Sequence, residues 1–306
     1  MSPLHINTPL LESRALSIAS GRTIWLKIEA MQPPGSFKIR GVGSACEQYR
    51  RRGARRFVSS SGGNAGLAVA YAGRHLGVSV LVVVPETTTE AAKALIRQEG
   101  AEVLVHGPSW QEANALALEK AQDDSCAFVH PFDDPLLWQG HATMVDEVAQ
   151  AGVKPDAVVL SVGGGGLLCG VIEGLRRHDW TDVPVIAVET DGADSLAQSL
   201  AAGHRVELAA ITSCASSLGA KKVCAEALIR AQEHPTQSVV VSDQAAVGAC
   251  ERFLADHRLV VEPACGASLA LAYDHAPELE PFGSVLVITC GGATATVEDL
   301  RRGSNG

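Results

Sequence analysis

Short apolar runs rich in Val, Ile and Leu alternate along this chain with alanine-rich stretches of helical period, and this alternation constrains the fold more than any other feature. TIWLKIE (23–29), RFVSSS (56–61), VSVLVVV (78–84), AEVLVHG (101–107), DAVVLSV (156–162), PVIAVET (184–190), QSVVVSD (237–243) and GSVLVITCGG (283–292) read as strands, and CAFVHP adds a shorter one. Most are unbroken apolar runs, as expected of strands covered on both faces. Helical stretches separate them, among them 37–51, 64–77, 88–100 and 167–177. Strands spaced by helices of this length imply parallel sheets with right-handed crossovers. The expected class is α/β, doubly wound. The 306 residues suit two domains or one large one. Ser109 with Glu112 predicts a capped helix start, and Pro135 predicts another.

Aromatic residues make up only 4% of the chain, so the core must be built from Ala, Val, Leu and Ile. A net charge of −9 argues against a nucleic-acid partner. The basic run Arg50, Arg51, Arg52, Arg55 and Arg56 reads as the solvated end of a helix. The opening MSPLHINTPLLESR is polar and broken by proline, unlike a signal peptide, and the longest apolar runs are too short to cross a bilayer. No membrane partner is therefore expected. Eight cysteines show no C-x-x-C pair and no zinc-like spacing with histidine. Reduced thiols in a cytoplasmic protein are the economical reading.

Three glycine loops follow predicted strands: SSSGGNAG (59–66), SVGGGGLLCG (161–170) and TCGGATAT (289–296). Ligands of open α/β sheets collect at the carboxyl ends of strands. A glycine run opening a helix lets backbone approach an anion and offers unpaired N–H groups. No Gly-Lys-Ser/Thr follows the GGGG run, and it lacks the G-x-G-x-x-G spacing, so a single phosphate group is the expected guest. In PPGSFKIRG (33–41), Lys38 sits at the mouth of a helix, where partial positive charge disfavours a cation. It implies a nearby anion or a lysine that spends time neutral. A lysine near a phosphate-bearing cofactor suggests a Schiff base with pyridoxal phosphate.

SFKIRG, SSGGNAG, SVGGGGLL, AVETDGADS, VEPACGASLA and VITCGG occur in this order and resemble the motifs of the fold type II pyridoxal-phosphate enzymes, most closely the serine/threonine dehydratases. The resemblance implies a tryptophan synthase β-like architecture of two α/β domains, with cofactor and substrate in the cleft between them. A large domain would comprise 1–39 and 136–306, and a small inserted domain 40–135. The cofactor would be pyridoxal 5'-phosphate, the partner an amino-acid substrate, and the assembly a homodimer.

Residue by residue, Lys38 matches the Schiff-base lysine, and Phe37 would flank the pyridine ring. Gly163, Gly164, Gly165, Gly166 and Leu167 match the phosphate loop. Asn64 would meet the ring 3-hydroxyl, and Ser61, Gly62 and Asn64 belong to the loop expected to hold the substrate carboxylate. Cys290 falls where the family places the partner of the pyridine nitrogen. A thiol there leaves the cofactor a weaker electron sink, which suits β-elimination. Glu189, with carbonyls at Ala193, Leu218 and Ala220, matches a monovalent-cation site, most suited to K+. The activity implied is L-serine/L-threonine ammonia-lyase, an enzyme of amino-acid catabolism. Alternatives are a racemase, a β-replacing synthase or a non-catalytic phosphate-ligand sensor. Related racemases carry a serine hydroxyl where this chain has Gly62.

Overall fold

The computed structural model describes residues 2–303, so the end of the expected 136–306 segment lies outside the described residues. The strands are β1 (Leu10–Glu12), β2 (Thr23–Ile28), β3 (Arg56–Ser59), β4 (Ser79–Val84), β5 (Glu102–Val105), β6 (Cys126–Phe128), β7 (Ala157–Ser161), β8 (Val185–Thr190), β9 (Thr236–Val241) and β10 (Ser284–Thr289). The helices are α1 (Arg14–Ser20), α2 (Lys38–Arg51), α3 (Asn64–Leu76), α4 (Glu90–Gln98), α5 (Trp110–Lys120), α6 (Pro135–Gln150), α7 (Gly166–Arg177), α8 (Ser195–Ala202), α9 (Ala225–Glu233), α10 (Asp243–His257), α11 (Pro263–Tyr273) and α12 (Val297–Gly303).

Two sheets result. One has six strands in the order β1-β2-β10-β7-β8-β9, and the other four in the order β5-β4-β3-β6. Every pairing is parallel except β1 with β2, which is antiparallel. The expected parallel sheets are present, with the one antiparallel pair at that edge. β1 is three residues long and close enough to β2 in sequence to return alongside it through α1, with no crossover. Central strands β7 and β8 are buried along their whole length, as their unbroken apolar sequences require. The Ser109–Glu112 capping box and Pro135 at the start of α6 stand as expected.

Between the sheets, α2 packs on α3 and α6, and α6 packs on α7. The start of α2 is held by a buried ionic cluster. Arg40 is 0% exposed and grips Glu29 through Nε at 2.7 Å and Nη2 at 2.8 Å, and Glu147 through Nη1 and Nη2, both at 2.7 Å. Lys27 on β2 donates to the Thr8 carbonyl at 2.6 Å and also pairs with Glu147. Two cations thus face two anions, and the carboxylates find several donors each, the condition under which buried charge is tolerated. Because Arg40 lies two residues past Lys38, the cluster fixes where α2 begins.

Removing one partner strands the others. Arg40→Leu leaves Glu29 buried without its guanidinium and should cost about 3–5 kcal/mol of unfolding free energy. Arg51→Leu, which removes only an exposed pair with Glu47, should cost less than about 1 kcal/mol. Urea denaturation of the two variants measures the difference.

Candidate active site

Adjacent parallel strands β2, β10, β7 and β8 bring their carboxyl ends to one edge of the six-stranded sheet. Beyond β2, at the start of α2, stands Lys38; Cys290 and the 163–167 glycine run follow β10 and β7, and Glu189 is the next-to-last residue of β8. Strands β4, β3 and β6 of the smaller sheet end in the loops holding Thr88, residues 60–64 and residues 129–134. Contacts between the two sets of loops build the site.

The PPGS turn is joined to the loop after β10 by main-chain bonds. Phe37 N donates to Cys290 O at 3.0 Å, and Gly292 N donates to Gly35 O at 3.1 Å. Gly291, with φ of +132°, could not be replaced, since a Cβ would lie 2.5 Å from Gly35 O. This pairing sets Lys38 beside Cys290. Lys38 Nζ then crosses to the other half and donates to Pro131 O at 2.8 Å. Burial lowers its pKa from 10.5 to about 8, while Cys290 and Glu262 push the other way. The Phe37 ring is half-buried and packs on His141 with centroids 4.9 Å apart. His141 is fully buried, and burial, together with Lys38 and Arg40, keeps it neutral.

The glycine run enters α7 without a side-chain cap, and Gly165 takes a left-handed φ of +93°. The main-chain N–H groups of Gly163, Gly164, Gly165, Gly166 and Leu167 donate to no acceptor among the described residues. Unpaired donors at an uncapped helix start are a site for an anion. The loop also lies against Phe132, whose carbonyl accepts from Trp138 Nε1 at 2.8 Å. A Cβ on Gly164 would come within 2.2 Å of Phe132 Cγ. The glycines therefore serve close packing as well as anion approach.

Asn64 opens α3 and is buried. Its Nδ2 donates to Glu262 Oε1 at 2.7 Å, and its Oδ1 accepts from Ala293 N at 3.3 Å. Ser61 Oγ accepts from Gly63 N at 3.4 Å. At position 62 a Cβ would lie 2.6 Å from both Oγ1 and Cγ2 of Thr88, so a side chain there requires the Thr88 side chain to move aside. Cys290 is 5% exposed, and a hydrogen bond with Cys265, together with burial, raises its pKa far above the thiol range, so it remains protonated.

Glu189 lies near the end of β8, at the same edge. Its oxygens accept from Leu196 N at 2.8 Å and Ala197 N at 2.7 Å, capping α8, and burial raises its pKa to about 8. Ala193 bridges back to Thr190, and Ala220 N donates to Leu218 O at 2.7 Å.

Glu262 is the group that reading the sequence missed. It precedes α11, is 7% exposed, and accepts from Asn64 at one oxygen and from Ser217 Oγ at the other, 2.8 Å away. Burial raises its pKa to about 7 against those two bonds. Its only signal in the sequence is a carboxylate directly before the proline of an apolar helix, in VEPACGASLA.

A lysine amine and a row of unpaired helix-start amides, set where the strand-end loops of the two sheets meet, define an α/β protein suited to a small phosphorylated carbonyl compound. Residues 1–291 match the family of pyridoxal-phosphate dependent enzymes, and the chain belongs to that family. It is 48% identical over 309 residues to human L-serine dehydratase/L-threonine deaminase, covering 98% of this chain and 94% of the relative. A fungal L-serine ammonia-lyase from Rhizomucor miehei matches with a TM-score of 0.94 at 37% identity, covering 99% of both chains. A maize serine racemase matches with a TM-score of 0.88 at 22% identity, covering 97% and 91%, a likeness of fold alone. The unpaired amides, the close-packed glycines and the enclosed amine fit pyridoxal phosphate.

Packing in the loop makes a graded prediction. Gly164→Ala forces a methyl into the Phe132 ring and should destabilise the cofactor-free protein by about 1–3 kcal/mol. Gly163→Ala, whose nearest neighbour would be Ser217 O at 3.0 Å, should cost less. Thermal unfolding of both variants without cofactor checks the order.

Proposed function

We propose that the chain is an L-serine/L-threonine ammonia-lyase, forming pyruvate and ammonia from L-serine and 2-oxobutanoate and ammonia from L-threonine. The observation that carries this reading is the enclosed Lys38 amine beside a protonated Cys290 thiol, at the edge that also bears the unpaired 163–167 amides. The names of the human and fungal relatives support it. Bound pyridoxal phosphate supplies the electrophile that weakens the Cα–H bond of an amino acid. Residues 163–167 would hold its phosphate through main-chain N–H groups, Phe37 would flank its ring, and Asn64 would meet its 3-hydroxyl.

The loop of Ser61, Gly62 and Asn64 holds the substrate carboxylate with side-chain and main-chain donors. Lys38 takes the Cα proton on Nζ. With its pKa near 8, about a tenth of it is neutral at pH 7, against well under a thousandth for an ordinary lysine. The Cα–H electron pair forms the Cα–Cβ double bond as the β-hydroxyl leaves with the C–O pair and takes up a proton to become water; the enamine released then tautomerises and is hydrolysed to the 2-oxoacid and ammonia. Cys290 bears a neutral thiol, with no carboxylate to hold a pyridinium charge, so the site favours expulsion of the β-hydroxyl over transamination. On the opposite face Gly62 offers no hydroxyl, and the Thr88 side chain stands 2.6 Å from where a Cβ at 62 would lie. Elimination is therefore favoured over racemisation.

Three finer points belong to this reading. The small unit spans 40–135, supported by the confinement of β3 to β6 to the second sheet. A cytoplasmic homodimer is supported on the first count by eight free thiols. A K+ ion near Glu189, Ala193, Leu218 and Ala220 is supported by the buried Glu189 carboxylate, whose pKa no neighbouring cation lowers.

Assay of 2-oxoacid release from L-serine, L-threonine and D-serine tests the reading, with chiral chromatography of the L-serine reaction. We expect both L-substrates to turn over, D-serine to be poor and little D-serine to accumulate. D-serine formed as fast as pyruvate would overturn the assignment. Lys38→Ala should remain folded yet lose turnover and the visible band of bound cofactor. Loading of cofactor-free protein should speed up as pH rises towards about 8 and level off above it, because only the neutral amine reacts. Activity should rise when K+ replaces tetramethylammonium.

A further inference from the structure

Glu262 lies where three loops meet. Its carboxylate accepts from Asn64 on the small-sheet side and from Ser217 in the 216–218 turn on the large-sheet side. Its main-chain N donates to Gly291 O at 3.3 Å, and its carbonyl accepts from Cys250 Sγ at 3.3 Å and from the N–H groups of Cys265 and Gly266. A Cβ on Gly292 would lie 2.4 Å from Glu262 N, so the backbone here has no slack. Neither oxygen pairs with a cationic side chain among the described residues.

The Asn64 amide is consequently fixed at both ends. Its Oδ1 is held by Ala293 N–H and one Nδ2 hydrogen by Glu262. An amide nitrogen carries two hydrogens, so the second is left in one fixed direction. An unfixed asparagine could turn its oxygen there instead and would repel a hydroxylate. We propose that Glu262 is a positioning residue that sets the orientation of Asn64, so that a donor and never an acceptor meets the ring 3-hydroxyl of pyridoxal phosphate. The inference rests on the reading that Asn64 meets that hydroxyl. It does not depend on which amino acid is the substrate. In this role the buried carboxylate acts through Asn64.

Binding to the cofactor-free protein, followed by fluorescence, tests this without any turnover. The probes are pyridoxal phosphate and its 3-deoxy analogue, which lacks the ring hydroxyl. Asn64→Ala and Glu262→Ala should each weaken pyridoxal phosphate about 10-fold, the scale of one hydrogen bond to a charged or polar group. Both should bind the 3-deoxy analogue as the parent does. The double variant should be no weaker than the worse single one, because both remove the same contact.

Glu262→Gln keeps an acceptor for Asn64 and should retain the parent's preference for pyridoxal phosphate over the analogue. That variant also carries the test if Glu262→Ala does not fold, since loss of preference in it overturns the proposal. Equal weakening of both probes by Glu262→Ala, or losses that add in the double variant, would overturn it as well. If Asn64→Ala leaves the preference intact, the placement of Asn64 fails and the inference with it. If only Glu262→Ala leaves it intact, the inference alone fails.

Discussion

The main-chain pairing of residues 35–37 with 290–292 is the constraint on which the site depends. Two hydrogen bonds, from Phe37 to Cys290 and from Gly292 to Gly35, join the turn after β2 to the turn after β10. They place a lysine amine and a thiol side by side before any side-chain preference enters. Side chains at 291 and 292 would collide with Gly35 O and Glu262 N, so only glycine allows so close an approach. Parallel pairing of β2 with β10 supplies the rest, since it brings both turns to the same end of the sheet.

Charge is arranged in two tiers around that joint. Behind it, Arg40, Lys27, Glu29 and Glu147 neutralise one another in a buried cluster that anchors the start of α2. At the joint itself the groups are left near their point of ionisation. Burial brings Lys38 down to about 8 and Glu262 up to about 7. The desolvation acting on the two is the same physical effect, with opposite signs for a cation and an anion. A site with an amine that readily becomes neutral suits carbonyl chemistry. The flanking cluster supplies rigidity without adding net charge that would move the amine back up.

Much of this was legible in the order of residues. Unbroken apolar runs announced buried parallel strands, and β7 and β8 are such strands. The SFK, GGNAG, GGGGLL and TCGG segments announced site loops, and all four lie at carboxyl ends of strands. The short antiparallel β1 and helices α1, α8, α9 and α11 were not read out. Each is brief or uniformly apolar, and its helical or extended state is decided by what it packs against. Glu189 illustrates the limit from the other side: a carboxylate at a strand end is visible in sequence, but the choice of α8 amides as its partners is not.

The sequence by itself determined the class of fold, the family and the chemical repertoire, because periodicity and glycine placement are local properties written into neighbouring residues. Tertiary structure alone decided that Asn64 and Glu262, separated by 198 positions, share a hydrogen bond. It alone decided that Thr88 stands beside Gly62 and that Phe132 lies against the glycine run. The first and last of these contacts join elements on different sheets, and the second joins neighbouring loops of the smaller sheet. Their geometry follows from how two sheets meet at their carboxyl edges, and no local pattern of residues encodes that meeting.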